Sequence, residues 1–341
     1  DITNSGIVYA DAIEYRDYDV ERERIGGSFS VDYQLSDSTR LYARTLYSLF
    51  DDTEERRRLV FEMDEEPSSG VGTAASFLSD DGEISVRRGL KDRFESQRIV
   101  TFEFGGETIS GDWTIEYKAS NAHAEEAEKD TQDPTRFRRD FDNPGELAVI
   151  FDYGDLEQPS FSVMTGEADF LDPSTYDFST MELVDGRAED DEVAFQLDVT
   201  REIPISRGDF HLKFGGKARM RDKSFDLSLQ VLEGFNGTYT LADVVGRQSY
   251  GLAQLGALPD LGATRSFNNA NLSAFEVNAL DTAFESAVED YTVEEDIFAA
   301  YLMGHYEIGA LTLIGGLRAE RTEDKMKGNL VELVEEDGTR N

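Results

Sequence analysis

Residues 210–219 read FHLKFGGKAR, and apolar or small residues alternate with polar ones along most of this stretch. Phe210, Leu212 and Phe214 fall on one face of an extended chain, because successive side chains of a β-strand point to opposite sides. The other face receives the intervening residues, which are His211, Lys213, Gly215, Lys217 and Arg219. The stretch therefore predicts a strand with one apolar face and one charged face.

The same two-residue period recurs in seven further segments of the chain. It is clearest at 24–33, 113–119, 192–200 and 311–318, and less regular at about 41–50 and 99–105. The segment at about 297–306 is apolar on both faces, so its orientation stays open. The sequence predicts about eight strands, or nine if another precedes Asp19.

These strands pair into hairpins through short turns rich in Gly, Ser and Asp. The predicted hairpins span about 22–50, 97–120, 192–221 and 295–323. Long loops follow at about 51–96, 121–191 and 222–294, and another begins within 324–341. Because alternate connections of an antiparallel meander lie at opposite ends of the sheet, we expect all long loops on one side of a single domain, 1–341.

Composition removes several classes of function. The formal net charge of −38 argues against nucleic acid as a partner, since phosphate binding requires clustered Lys and Arg. The chain has no cysteine, and its three histidines lie far apart in sequence. The acidic runs do not have the spacing of an EF-hand, and no hydrolase nucleophile motif is present. We expect no enzyme activity, no bound metal and no cofactor.

Two architectures fit the alternating pattern. A soluble β-sandwich alternates in the same way, but its turn signals usually recur about every 8–12 residues. Here every second connection is long, as on the outer side of an outer-membrane barrel. We therefore predict an all-β fold, an antiparallel transmembrane β-barrel portion of about 8–9 strands from a larger barrel. The predicted lumen-lining residues are Arg44, Glu116, Lys118, Lys213, Lys217, Arg219, Arg318 and Glu320.

Several segments also resemble a known family. RLYARTLYSLFDD at 40–52, FGGKAR at 214–219 and EDIFAAYL at 295–302, followed by LIGGLRAERT at 313–322, resemble barrel hairpins of TonB-dependent outer-membrane receptors with long outer loops. The resemblance implies a barrel of about 22 strands with an N-terminal plug. It also implies energised uptake of a scarce ligand, either a carbohydrate or an iron chelate, through the TonB-ExbB-ExbD system.

The sequence departs from this family in lacking a plug-like segment, an energy-coupling box and a terminal aromatic residue. We therefore expect an internal fragment of a receptor, in the cell outer membrane of a Gram-negative bacterium and in contact with lipid and lipopolysaccharide. Loop aromatics such as Tyr176 and Tyr239 either stack on the ligand or form small cores of the loops. The alternative that stays open is a soluble, acidic β-sandwich surface or adhesion protein, with calcium as a stabilising ion.

Overall fold

Eight long strands, each paired with its neighbours in chain order, form one antiparallel sheet in the computed structural model. Residues 2–3, 6–246, 250–251, 253–332, 334–336 and 339–340 are described. The strands are β1 (Ala12–Ser36), β2 (Thr39–Met63), β3 (Ile84–Ser110), β4 (Trp113–Phe141), β5 (Asp177–Ile203), β6 (Asp209–Phe235), β7 (Tyr291–Ile308) and β8 (Leu311–Gly328). The chain is mostly β and its sheets are antiparallel, so this coarser part of the prediction is confirmed. Within the described residues, β1 pairs with β2 alone and β8 with β7 alone, so these two strands are the edges.

The short turns lie where the sequence predicts them, after Ser36, Ser110, Ile203 and Ile308. Gly111 and Gly309 adopt φ angles of 60° and 58° in two of these turns. Glycine suits both positions, because a residue with a Cβ is strained in this left-handed region. All four short turns lie at one end of the sheet, as expected for a meander.

The strands run further than the predicted hairpins at the opposite end. The long connections span 64–83, 142–176 and 236–290, in place of the predicted 51–96, 121–191 and 222–294, and β8 continues to Gly328. Charged runs that resemble loops in the sequence are strands here, because opposite charges meet across the sheet. Arg93 lies 3.1 Å from Glu54 on the neighbouring strand, and the Arg221 guanidinium pairs with Asp190 in the same way.

The connections contain short elements of their own. The strands Ser69–Val71, Ala74–Leu78, Ala148–Asp152 and Ser160–Thr165 form a small four-stranded sheet. Other short strands are Val245–Gly246 paired with Leu258–Pro259, Phe275–Val277 paired with β6, and Glu335–Glu336 paired with Thr339–Arg340. The helices are α1 (Glu167–Leu171), α2 (Leu261–Ala270) and α3 (Ala279–Glu289), with 3-10 turns at Pro173–Thr175, Leu241–Asp243 and Leu272–Ala274.

Helix α3 takes the place of a strand partner along the outer half of β6. Because β7 begins only at Tyr291, the backbone N–H groups of Leu229 and Val231 face α3 instead of a strand. They donate to Ser286 Oγ at 3.0 Å and to Thr282 Oγ1 at 2.9 Å. Covering a sheet edge in this way satisfies backbone groups that would otherwise template pairing with another chain.

The apolar core lies at the end of the sheet that carries the long connections. Phe61 and Phe137 of the long strands are fully buried there with Phe151 and Phe170 of the connections. The rings of Phe61 and Phe170 stack with their centroids 5.7 Å apart. The connections therefore form a folded layer, here called the loop layer, packed against one face of the sheet.

Candidate functional site: the two faces of the sheet

The strand register brings the separately predicted apolar faces to the same side of the sheet. Residues directly opposite one another on neighbouring strands share a face. One such row runs from Phe104 through Ala119, Phe195 and Ala218 to Phe298. It also orients the ambiguous segment 297–306, because it places Phe298 with the apolar residues. We call this band the apolar belt; it consists of every second residue of 29–33, 41–45, 102–108, 113–119, 193–199, 210–218, 298–302 and 313–317, and none of these residues is charged.

The apolar belt is exposed. The exposed fractions are 58% for Phe102, 51% for Phe195 and 83% for Leu317, and no second layer of the described chain covers them. A contiguous apolar surface on this scale is unusual for a soluble monomer and is typical of a surface that contacts another protein or a membrane. At the turn end of the belt, the Arg201 guanidinium lies 4.9 Å from the centre of the Trp113 ring.

The opposite face, here called the polar face, carries the predicted lumen-lining residues. By register, it receives all eight of them, namely Arg44, Glu116, Lys118, Lys213, Lys217, Arg219, Arg318 and Glu320. Their shared side of the sheet follows from the alternation along each strand together with the register between strands. The charges on this face meet across strands instead of remaining separate.

Ion pairs connect most of these residues. Lys213 Nζ lies 2.7 Å from Glu116, and the Arg219 guanidinium lies 2.6 Å from Glu295 on β7. Arg44 and Lys118 each approach Glu103, both at 3.5 Å, and Arg318 pairs with Glu320 along β8 at 2.5 Å. Lys217 lies opposite Gln196 and Ala299. Exposed pairs of this kind contribute only about 0–1 kcal/mol each, so they organise a wet surface more than they stabilise the fold.

A polar recess of about 330 Å³ lies on the same face near the turns. Arg44, Glu116 and Lys118 line it together with Asp198, which the sequence analysis missed. The Asp198 carboxylate accepts hydrogen bonds from Tyr301 Oη at 2.7 Å and from Gln196 Nε2 at 2.6 Å. Alternating charge gives the recess many donors and acceptors but little net charge, which suits contact with water or a hydrated solute.

One group on the belt side has the donor atoms of a cation site. Ring nitrogen and carboxylate oxygens of His123, Glu125 and Glu189 all lie within 4.8 Å of one another. Arginines already pair with both carboxylates, since Arg98 lies 2.5 Å from Glu125 and Arg187 lies 2.6 Å from Glu189. The group is therefore explained by ion pairing at the border of the apolar belt.

A buried arginine holds the loop layer together. Arg88 on β3 is fully buried and donates to the carbonyl oxygens of Leu255 at 2.5 Å, Ala257 at 2.7 Å and Phe170 at 3.0 Å. Its guanidinium lies 4.7 Å from the Tyr176 ring centre, and burial lowers its pKa. Sequence reasoning missed it, because an arginine between Val86 and Leu90 on the apolar side of a strand is improbable from pattern alone.

The loop aromatics proposed as ligand contacts have a structural role instead. Tyr176 and Tyr239 are buried in the core, and Phe137, Phe141 and Tyr153 are buried with them. Tyr239 stacks on Phe267 with ring centres 4.0 Å apart and donates to Asn268 Oδ1 at 2.8 Å. These rings serve the packing of the loop layer, which was the simpler of the two interpretations.

No protein-family model matches the chain, and no curated protein matches its sequence. Among the described residues, no helix combines the length and the hydropathy that a membrane-spanning helix requires.

Proposed function

We propose that the chain is part of an outer-membrane β-barrel that takes up a scarce ligand. The apolar belt contacts hydrocarbon, and the polar face lines a water-filled interior. The observation that carries this proposal is the alignment of uncharged, exposed residues from eight strands into one band. Along each strand, the residues between them carry the charges.

The height of the apolar belt supports this proposal. On β6 the belt extends from Phe210 to Ala218, which corresponds to about 30 Å of strand at about 3.3 Å a residue. A strand tilted by about 40° spans about 23 Å of that length along the membrane normal, close to the apolar band of about 25 Å in known barrels. Trp113 and Tyr33 lie at its turn end, where aromatic residues favour the interface.

The open edges also fit a part of a larger barrel. In hydrocarbon, each unpaired N–H or C=O group along the outer edges of β1 and β8 would cost several kcal/mol. The proposal therefore includes further strands that pair with both edges and close the barrel. From the family resemblance we infer lipopolysaccharide as a neighbour, a plug coupled to TonB-ExbB-ExbD, and a carbohydrate or iron chelate as the ligand.

The single tryptophan allows a direct test. In a Trp113→Phe background, Phe104→Trp puts a fluorophore in the apolar belt, and Glu103→Trp puts one on the polar face next to it. After folding into vesicles, lipids brominated in mid-chain should quench Phe104→Trp strongly and Glu103→Trp weakly. Aqueous iodide should give the reverse order, because the two side chains point to opposite sides of the sheet.

Equal iodide quenching of both variants without bromolipid quenching would contradict the proposal. It would favour the soluble adhesion protein, which should also remain monodisperse in buffer without detergent. A β-sandwich of that kind buries its apolar face against a second sheet, whereas the apolar belt is uncovered in the described chain. No specific observation therefore favours this second candidate.

A further inference from the structure

Four arginines converge on the polar face beyond the apolar belt, in a chain whose net charge is −38. Arg58 on β2 lies opposite Gly89 on β3, which in turn lies opposite Arg136 on β4; Arg87 and Arg138 form the neighbouring pair. A Cβ at Gly89 would lie 3.0 Å from Arg58 Nε, so the glycine lets the Arg58 side chain pass across β3. We call Arg58, Arg87, Arg136 and Arg138 the arginine cluster.

The acidic neighbours leave one member of the cluster unpaired. Arg58 lies 3.3 Å from Glu14, Arg87 pairs with Glu62, and Arg138 lies 2.6 Å from Asp140 and 3.0 Å from Glu83. In the described part of the chain, the half-buried Arg136 side chain makes no hydrogen bond and no ion pair, although Glu182 and Asp133 lie on its side of the sheet.

The arginines of the cluster repel one another. Burial and then the charges of Arg136, Arg58 and Arg138 lower the pKa of Arg87 to about 10. Burial and the nearby Arg58 also lower the pKa of Arg136. In addition, Arg87 Nε is buried without a hydrogen-bond partner. Partly desolvated and incompletely paired cations are unfavourable in a ligand-free fold, because a buried donor without a partner has lost its hydrogen bonds to water.

An oxyanion would supply the acceptor oxygens and the negative charge that the arginine cluster lacks. A guanidinium presents a planar fork of donors that matches the two oxygens of a carboxylate or phosphate. Arg87 lies 13 residues before Val100, the position on β3 where the belt face becomes apolar, which is about 40 Å along the strand. In the proposed barrel this position lies inside the wall, on the side of the long connections, where an incoming ligand arrives first.

We infer that the arginine cluster binds a small anionic ligand through its carboxylate or phosphate groups. This inference rests on the proposed function and narrows it, since it favours an anionic chelate or an acidic sugar over a neutral carbohydrate. The long connections 64–83, 142–176 and 236–290 carry more acidic than basic residues, and this negative charge opposes anions that make few contacts. The cluster retains anions that bridge Arg58, Arg87 and Arg136.

Calorimetric titration of the full chain with citrate, inorganic phosphate and glucose tests the inference. Heat released on adding citrate indicates recognition of carboxylates, and heat released on adding inorganic phosphate indicates recognition of phosphate. Glucose should give no heat of binding. Arg136→Gln should weaken binding of the active anion at least tenfold, and Arg136→Lys should weaken it less. Arg221→Gln is the matched control, because it removes one charge from the same face at a site that is ion-paired with Asp190, and it should change affinity less than twofold.

Thermal melting separates binding from folding. Without ligand, Arg136→Gln should melt no lower than the parent chain, because it removes like-charge repulsion, and its melting temperature should no longer rise with the anion. Absence of heat with both anions at millimolar concentration overturns the inference, as does equal weakening by Arg136→Gln and Arg221→Gln. Bromolipid quenching on the same preparation tests the barrel separately, so failure of one proposal is distinguishable from failure of the other.

Discussion

Introducing an arginine in the middle of the apolar belt tests lipid contact, because its effect on the free energy of unfolding differs between lipid and water. Leu197 on β5 is 50% exposed in the chain itself, so its replacement leaves little cavity. A Lys or Arg on the lipid face near the bilayer midplane costs about 2–4 kcal/mol. In vesicles, Leu197→Arg should therefore lower the free energy of unfolding by about 3 kcal/mol, roughly a hundredfold in the folding equilibrium. In water, a change at such an exposed site costs at most about 0.5 kcal/mol.

Gln196→Arg is the control for this experiment. Gln196 adjoins Leu197 but lies on the polar face, where its side chain donates to Asp198, and an arginine there remains hydrated beside a carboxylate. Urea unfolding of each variant from vesicles, followed by Trp113 emission and circular dichroism, gives both free energies. If the two variants unfold within about 0.5 kcal/mol of each other in vesicles, the assignment of the belt to lipid is refuted.

Two further predictions concern the part of the chain beyond the belt. Arg88→Met should destabilise the loop layer by about 3 kcal/mol, since it leaves two buried carbonyl groups and one partly buried carbonyl group without this donor. Limited proteolysis within 236–290 measures this effect, and the exposed Arg187→Met serves as control. Burial and the charge of Asp133 raise the pKa of Glu182 above its ordinary 4.5, so its contribution to stability is fully present at low pH and is lost as pH rises through the folded-state pKa. Glu182→Gln should therefore be neutral near pH 4 and stabilising at pH 8 in urea titrations, and a destabilised variant at pH 8 would contradict this reasoning.

The strands of the belt were predictable because one face meets a single kind of environment along its whole length. Phe210, Leu212 and Phe214 alternate with polar residues for that reason. The register then places the apolar residues of the neighbouring strands β5 and β7 on the same side of the sheet. Beyond the belt this regularity ends. The charged run from Asp51 to Arg58 forms part of β2, but its stabilising partners lie on β1 and β3 and cannot be recognised from a local pattern.

The arginine cluster was unpredictable for a different physical reason. Ser110 lies opposite Trp113 at the turn, and that register alone would place Arg136 opposite Arg87. Irregularities between Glu128 and Thr135 add two residues to β4, so that Arg138 lies opposite Arg87 and Arg136 lies opposite Gly89. Bulges have no reliable local signature, and they decide which of the four arginines meet across the sheet.

The border between belt and loop layer strengthens the proposed membrane location. On the same face of the sheet, the apolar residues of the belt and those of the core are separated by polar and charged residues that include His123, Asp191, Arg98 and Glu125. If one continuous protein layer covered this whole face, the polar and charged side chains of this row would lose their water without a compensating interaction with that layer. If the face instead passes from hydrocarbon to protein, the charged row lies at the height of hydrated head groups, where these side chains keep their water. In the proposed barrel, the outer surface of the membrane would therefore cross this sheet between Asn121 and His123 on β4.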